Sequence, residues 1–277
     1  MSGVSPAYFV SKFSNRFSPT DVAAGLEDLP SLGFSGFQLE VFHRESLDTW
    51  ARIGAAHIRR KSSDLGLKAH QLVGHFMLED FADRQSLVST AAVENMKAVL
   101  EIVNLFDECR VVTVPLPTFN CRSSSSKDDY LFLFERCAAK VSRLLSMVED
   151  AGRRMALEIL PGAIVGGIDG FLRLCEHLMS DTLGLNFDTG HAWACKENLY
   201  LIPAKLGPRI LGTHLCDNFG NENLSLRPGA GSIDWTRLIA ALKACGYNGP
   251  WDIEIACPPN SVAEEYGAGR RFIEALV

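Results

Sequence analysis

Four ionisable residues stand where four apolar runs end. Glu158 interrupts Met155-Ala-Leu-Glu-Ile-Leu160, and Asp188 closes Leu183-Gly-Leu-Asn-Phe-Asp188. His214 lies in Ile210-Leu-Gly-Thr-His-Leu-Cys216, and Glu254 in Pro250-Trp-Asp-Ile-Glu-Ile255. A lone carboxylate in apolar surroundings is costly unless it is paired or holds a cation. For a single such Glu, a buried Arg or Lys partner is as good an explanation as a functional role. Two Glu, one Asp and one His on successive runs, 30, 26 and 40 residues apart, are better explained by one shared cation. A cation also offsets the repulsion among three carboxylates. Three carboxylates and one imidazole suit a hard or borderline divalent ion: Mn²⁺, Mg²⁺ or Co²⁺. Zn²⁺ is compatible, but more often recruits Cys or further His. His191 follows Asp188 by three residues and brings a second imidazole to the same place.

These residues need a scaffold that gathers strand ends. Short apolar runs alternate with longer amphipathic stretches along the whole chain. They predict strands over Ala7–Lys12, Gly36–Phe42, Leu67–Val73, Arg110–Leu116, Met155–Leu160, Leu183–Asp188, Ile210–Cys216 and Pro250–Ile255. Helices are predicted from Thr20, as N-cap, to Leu29; from Thr49 to Leu65, closed by Gly66; and over Arg84–Phe106. Further helices are predicted over 128–151, Ile168–Met179, part of 198–206, Asp234–Ala244 and Val262–Leu276. Eight strand–helix units in a row imply parallel pairing, and in a chain of 277 residues they predict a closed (β/α)₈ TIM barrel, α/β in class, as a single domain over 1–277. The rival, an open doubly wound sheet, lacks support: no G-x-G-x-x-G follows the first strand and no G-x-x-x-x-G-K-[ST] occurs.

In a parallel barrel, function sits at the C-terminal ends of the strands. That end also receives Glu40 and His43 from the second strand, His70, Gln71 and His75 from the third, and Asp217 after the seventh. His70 and His75 fall near the expected mouth, where they are candidates for substrate contact. Asp217 is expected to orient a loop or a neighbouring ligand rather than to bind metal. His57 and His177 lie in helical stretches and are expected on the surface or in packing. The polar loop Ser123–Ser126, flanked by Arg122 and Lys127, lies on the same side as the site; it could bind phosphate or act as a lid, but a mobile polar connection is the simpler expectation. Arg227, in Arg227-Pro-Gly-Ala-Gly-Ser-Ile-Asp-Trp235, could reach over the mouth, while Asp234 is expected to cap the following helix.

Bulk properties narrow the class. The net charge is −6 and no basic run exceeds Arg59-Arg60-Lys61, which disfavours a nucleic-acid partner. Eight scattered cysteines without a C-x-x-C pair are expected to be reduced thiols. No apolar run reaches the length of a membrane span, and the first residues lack the marks of a signal peptide. A cytoplasmic protein without a membrane partner is expected. A homo-oligomer is compatible with the sequence and not required by it.

The segments LEIL around Glu158, NFDTGHAW around Asp188 and His191, GTHLCDN around His214, PGAGSIDW, and WDIEIA around Glu254 resemble the xylose isomerase-like barrel superfamily. Its members include ketose 3-epimerases, hydroxypyruvate isomerases, inosose dehydratases and endonuclease IV-type DNA repair enzymes. The resemblance implies a metal held by Glu158, Asp188, His214 and Glu254, and a substrate oxygen contacted by His191. An Arg upstream of the Pro-Gly loop binds substrate in such epimerases, and Arg227 is the candidate here, after a longer segment from His214. The endonuclease branch needs a His on the fourth strand and an Asp-x-His pair before the Gly-x-Gly loop. Here the strand is Val-Val-Thr-Val-Pro-Leu-Pro, and the loop has Asn223-Leu-Ser225.

The expected activity is a metal-dependent isomerase or epimerase of a small sugar or α-hydroxy ketone. Glu158 and Glu254 would take and return the proton alpha to the carbonyl, through a metal-stabilised enediolate. His191, Arg227 and His70 are the substrate-binding candidates. An inosose-type dehydratase on the same site is the main alternative. A barrel without catalysis and an endonuclease follow behind.

Overall fold

Eight parallel strands form the frame of the protein in this computed structural model, which describes residues 1–121 and 127–277. They are β1 (Ser2–Val4), β2 (Gly36–Glu40), β3 (Lys68–Val73), β4 (Val111–Leu116), β5 (Arg154–Ile159), β6 (Gly184–Asp188), β7 (Ile210–His214) and β8 (Trp251–Ile253). Neighbours follow the order β7-β6-β5-β4-β3-β2-β1-β8. The ring closes between β7 and β8 through a Leu215–Ile253 bridge. There the Leu215 N–H donates to the Asp252 carbonyl at 2.8 Å, and the Glu254 N–H to the Leu215 carbonyl at 3.1 Å. The Thr213 hydroxyl reinforces the closure, donating to the Pro250 carbonyl at 3.0 Å and accepting from the Asp252 N–H at 3.2 Å. The expected barrel is therefore the observed one.

The start of the chain differs from expectation. The first strand is Ser2–Val4, and Ala7–Phe13 is a helix opened by Pro6. Its aromatic content signals a strand, yet it serves a helix face: Tyr8 and Phe9 are buried, and Tyr8 meets Phe9 and Tyr266 edge-on, with centroids 5.2 and 5.0 Å apart. The next helix, Pro19–Gly25, is capped by Ser18 rather than Thr20, in a reciprocal box with Asp21. The stretch 84–106 is two helices, Arg84–Val88 and Ala91–Val103, because Ser89 takes an extended backbone between them. A short helix over Thr189–Ala194, not foreseen, follows β6 directly. The Ser123–Ser126 loop with Arg122 lies outside the described residues.

The apolar core lies mainly between strands and helices, where Phe37, Leu39, Val112, Leu157, Phe187 and Leu238 are buried. The barrel interior carries a column of polar side chains instead, beside a small apolar cluster of Val111, Ala156 and Leu211. Bonds between strands that are not neighbours must cross it. Gln38 of β2 donates to Asp252 Oδ2 of β8 at 2.8 Å, and Gln71 of β3 donates to Asn186 Oδ1 of β6 at 3.0 Å. His70 Nε2 lies 2.8 Å from the same Asp252 oxygen. Two glycines make room for this column. A Cβ on Gly3 would fall 2.0 Å from Asp252 Oδ1, and one on Gly212 would fall 2.3 Å from Gln71 Oε1 and 2.6 Å from Asn186 Oδ1. Gly212→Ala is therefore expected to push the Gln71 amide off its partners and to cost about 1–3 kcal/mol. Chemical denaturation tests this; an unchanged midpoint would show that the column can give way freely.

Candidate active site

The polar column ends in a cluster at the C-terminal rim. His214, the last residue of β7, places Nδ1 2.9 Å from Glu254 Oε2, 3.3 Å from Glu158 Oε1 and 4.0 Å from Asp188 Oδ2. Its other nitrogen, Nε2, lies 2.9 Å from Gln38 Oε1. Gln38 Nε2 already donates to Asp252, so Oε1 is its acceptor end and His214 Nε2 must carry a proton. Nδ1 is thereby the nitrogen whose lone pair a cation could use. Below Glu158, the Asn186 amide donates to Oε2 at 3.4 Å. The four residues that the apolar strand ends singled out are thus brought together.

Asp188 divides its two oxygens. Oδ1 caps the helix Thr189–Ala194 by accepting the His191 N–H at 2.8 Å, and it also faces the Cys216 thiol at 3.6 Å. Oδ2 is buried and has no hydrogen-bond partner. Ligand atoms of Glu158, Asp188 and His214 lie within 4.8 Å of one another, as do those of Asp188, Cys216 and Glu254. The two groups share Asp188 and describe one centre. A buried carboxylate oxygen without a hydrogen bond, among oxygen donors and one imidazole nitrogen, fits a divalent cation.

The electrostatics follow from crowding. Burial works against a charge on His214, but Glu254 and Glu158 outweigh it and hold its pKa well above the ordinary imidazole value. Burial raises the Asp188 carboxyl, with His191 and His214 opposing only in part. Burial also acts upward on Glu254, yet its contact with His214 brings it below the usual carboxylate value. Burial pushes the Cys216 thiol well up, with the charges of Asp188 and Glu254 adding to it. This sulfur is therefore a protonated donor beside Asp188.

His191 differs from His214 in which nitrogen is free. Asn223 Oδ1 accepts the Ser225 N–H at 3.0 Å, which turns the amide nitrogen toward His191 Nδ1, 3.2 Å away. An amide nitrogen only donates, so Nδ1 accepts and Nε2 carries the proton. Nε2 points to the cluster, 3.5 Å from Asp188 Oδ2 and 3.8 Å from Glu158 Oε1. It is a donor aimed into the cluster. Asn223, Gln38 and Asn186 had no sequence signal as site residues, because each acts through a partner distant in sequence.

A cavity of about 160 Å³ opens above the cluster. Glu158, Glu254, His191 and His214 line one side, and Glu40, His75 and Phe42 also line it, among apolar residues such as Val73, Pro115 and Leu160. Two of the expected substrate contacts lie elsewhere. His70 is buried in the column against Asp252 and does not line the cavity. Arg227 is turned to Glu265, with Nε 3.1 Å from its Oε2, and does not line the cavity either. Asp217 is the loop organiser the sequence suggested. Oδ1 accepts from the N–H groups of Asn218 (2.9 Å) and Ile233 (3.2 Å), and Oδ2 from the Gly229 N–H (3.0 Å) and Trp235 Nε1 (2.7 Å).

Comparison with known proteins places this architecture. An uncharacterised protein, MJ1311, from Methanocaldococcus jannaschii is 29% identical over 119 residues, 41% of each chain. Inosose isomerase from Bacillus velezensis is 25% identical over 174 residues, 60% of each chain. The matches thus span less than two thirds of these curated relatives. Among solved structures, a D-tagatose 3-epimerase-like protein superposes with a TM-score of 0.76 at 18% identity, covering 100% of this chain and 98% of that one. An L-ribulose 3-epimerase gives 0.73 at 17%, covering 99% and 93%. The family model described as xylose isomerase-like TIM barrel matches residues 26–276. With that match spanning nearly the whole barrel, the chain belongs to the xylose isomerase-like TIM barrel family.

Proposed function

We propose that this protein is a divalent-metal-dependent isomerase or epimerase of a small sugar or related α-hydroxy ketone. The observation that carries the reading is the convergence of Glu158, Asp188, His214 and Glu254 beneath a small cavity, with Asp188 Oδ2 buried and without a hydrogen bond. Those four residues would hold the cation. When bound, a divalent ion supplies Lewis acidity that makes the proton alpha to a carbonyl easier to remove. Glu158 and Glu254 both line the cavity, so one carboxylate can take that proton and the other return it. The His191 Nε2–H holds the substrate oxygen. The inosose isomerase and the ketose 3-epimerase-like structures among its relatives support keto sugars or keto polyols as the substrate class.

The test is a screen of Mn²⁺-, Mg²⁺- and Co²⁺-loaded protein over ketoses, ketose phosphates and inososes in D₂O. Solvent deuterium should enter at the α-carbon, and the product should be isomeric with the substrate. Loss of water from the product would make the protein a dehydratase. Full activity after chelation would remove the metal from the proposal.

The cation and a proton compete for His214 Nδ1. Because the carboxylates raise the pKa of His214, protein below that pKa must shed the proton to bind metal. Affinity should therefore rise with pH and level off once His214 is neutral. Calorimetry in buffers of different ionisation enthalpy should show release of about one proton per ion on the acidic side. No proton release there would mean that His214 is not a ligand.

A further inference from the structure

The cavity has a second polar wall, on the β2–β3 side of the ring. Glu158, Asp188, His214 and Glu254 come from the β5–β8 side of the ring, whereas Glu40 ends β2 and His75 follows β3. The two strands pair so that Glu40 lies beside Val73, which brings His75 next to Glu40. His75 Nδ1 lies 3.3 Å from Glu40 Oε1. The other carboxylate oxygen, Oε2, is buried and has no hydrogen-bond partner, in a residue only 4% exposed. Phe42 stacks on the His75 ring, with centroids 3.9 Å apart and planes 17° from parallel, and so fixes the direction of its second nitrogen. Glu40, Phe42 and His75 all line the cavity.

A buried carboxylate oxygen without a donor is a defect unless something supplies one. Nothing in the proton-transfer chemistry above uses it. We propose that Glu40 and His75 form a hydroxyl-binding subsite that receives the part of a polyhydroxy ketone remote from its carbonyl. Glu40 Oε2 accepts from one hydroxyl, and His75 Nε2 meets a neighbouring one. Phe42 keeps the imidazole in place. Burial raises the Glu40 carboxyl despite His75, which fits a group waiting for a donor. Among the described residues, no Lys or Arg lines the cavity. Three carboxylates line it, Glu40, Glu158 and Glu254, and their charges outnumber the two of a divalent ion. The subsite therefore favours neutral hydroxyls over a phosphate at the same position.

This inference rests on the proposed function, and the experiment separates the two. Metal-loaded wild type, Glu40→Gln, His75→Ala and the double variant are assayed for α-proton exchange on D-fructose, D-tagatose and 2-keto-myo-inositol. D-fructose 6-phosphate and D-tagatose 6-phosphate serve as competitors. Metal affinity and melting temperature are measured for each variant. Glu40→Gln keeps the shape of the side chain, so it should fold. On a sugar that the wild type exchanges, it should lose about tenfold in kcat/KM, mainly through KM, with metal affinity within threefold of wild type. The double variant should lose little more than the worse single one, because the two side chains act as a pair. The sugar phosphates should compete at least tenfold more weakly than the free sugars. An unchanged KM, a parallel loss of metal affinity, or tighter binding of the phosphates would overturn the subsite. Absence of exchange by wild type on all three keto sugars would instead overturn the function on which the subsite rests.

Discussion

Glu158→Gln is expected to abolish exchange of the substrate α-proton with solvent, by about 10³-fold or more. The substitution keeps the length of the side chain and one oxygen facing His214, where Oε1 now lies 3.3 Å from Nδ1. It removes the basicity that proton transfer needs. The amide nitrogen then falls at the position of Oε2, to which the Asn186 amide now donates from 3.4 Å, so that one hydrogen bond is lost. Metal affinity should fall less than activity, since a neutral amide oxygen remains a ligand of moderate strength. The measurement is deuterium incorporation by NMR at saturating metal. Exchange within tenfold of wild type would remove Glu158 from the proton path and leave it only as a ligand candidate.

The second large effect is on stability. Asp217 is fully buried and accepts four hydrogen bonds, three from backbone N–H groups and one from the Trp235 indole. Asp217→Ala leaves those donors without an acceptor in a buried setting, and each orphaned donor costs about 1–3 kcal/mol, less where water enters. A loss of at least about 3 kcal/mol is expected, which for a chain of this size lowers Tm by roughly 6–12 °C. Asp217→Asn keeps one acceptor oxygen and should lose clearly less. A thermal melt of the Ala variant within about 1 °C of wild type would show that the 217–235 loop is held by other contacts.

The candidate metal ligands were legible because a charge in an apolar strand stands out at any register. Glu158, Asp188, His214 and Glu254 needed only the period of the βα unit to be placed at one rim. His70 was not legible in the same way. Between β2 and β3 the register shifts, with Phe37 opposite Ala69 and Gln38 opposite Gln71, so His70 is the extra residue. That irregularity sends it to Asp252 rather than to the mouth, and no local pattern announces it. Arg227 finds its partner Glu265 on the helix Val262–Glu274, a tertiary contact invisible to spacing. The strand Ser2–Val4 has three residues and no apolar run, whereas Ala7–Phe13 carries the aromatic composition of a strand and packs as a helix. Local propensity was overridden there by burial of Tyr8 and Phe9.

The closure between β7 and β8 has a mechanical consequence. β8 has three residues, and the seam rests on one backbone bridge, two main-chain hydrogen bonds and the Thr213 hydroxyl. His214 and Glu254 stand on its two lips, 2.9 Å apart. An ion gripped by both would work as a clasp on the hoop, and chelation would unfasten the hoop there first. Amide hydrogens of Leu215 and Glu254 would then exchange faster than those of β4 and β5, whose longer ladder pairs six residues on each side. The same centre proposed to do the chemistry would also set how readily the ring springs open.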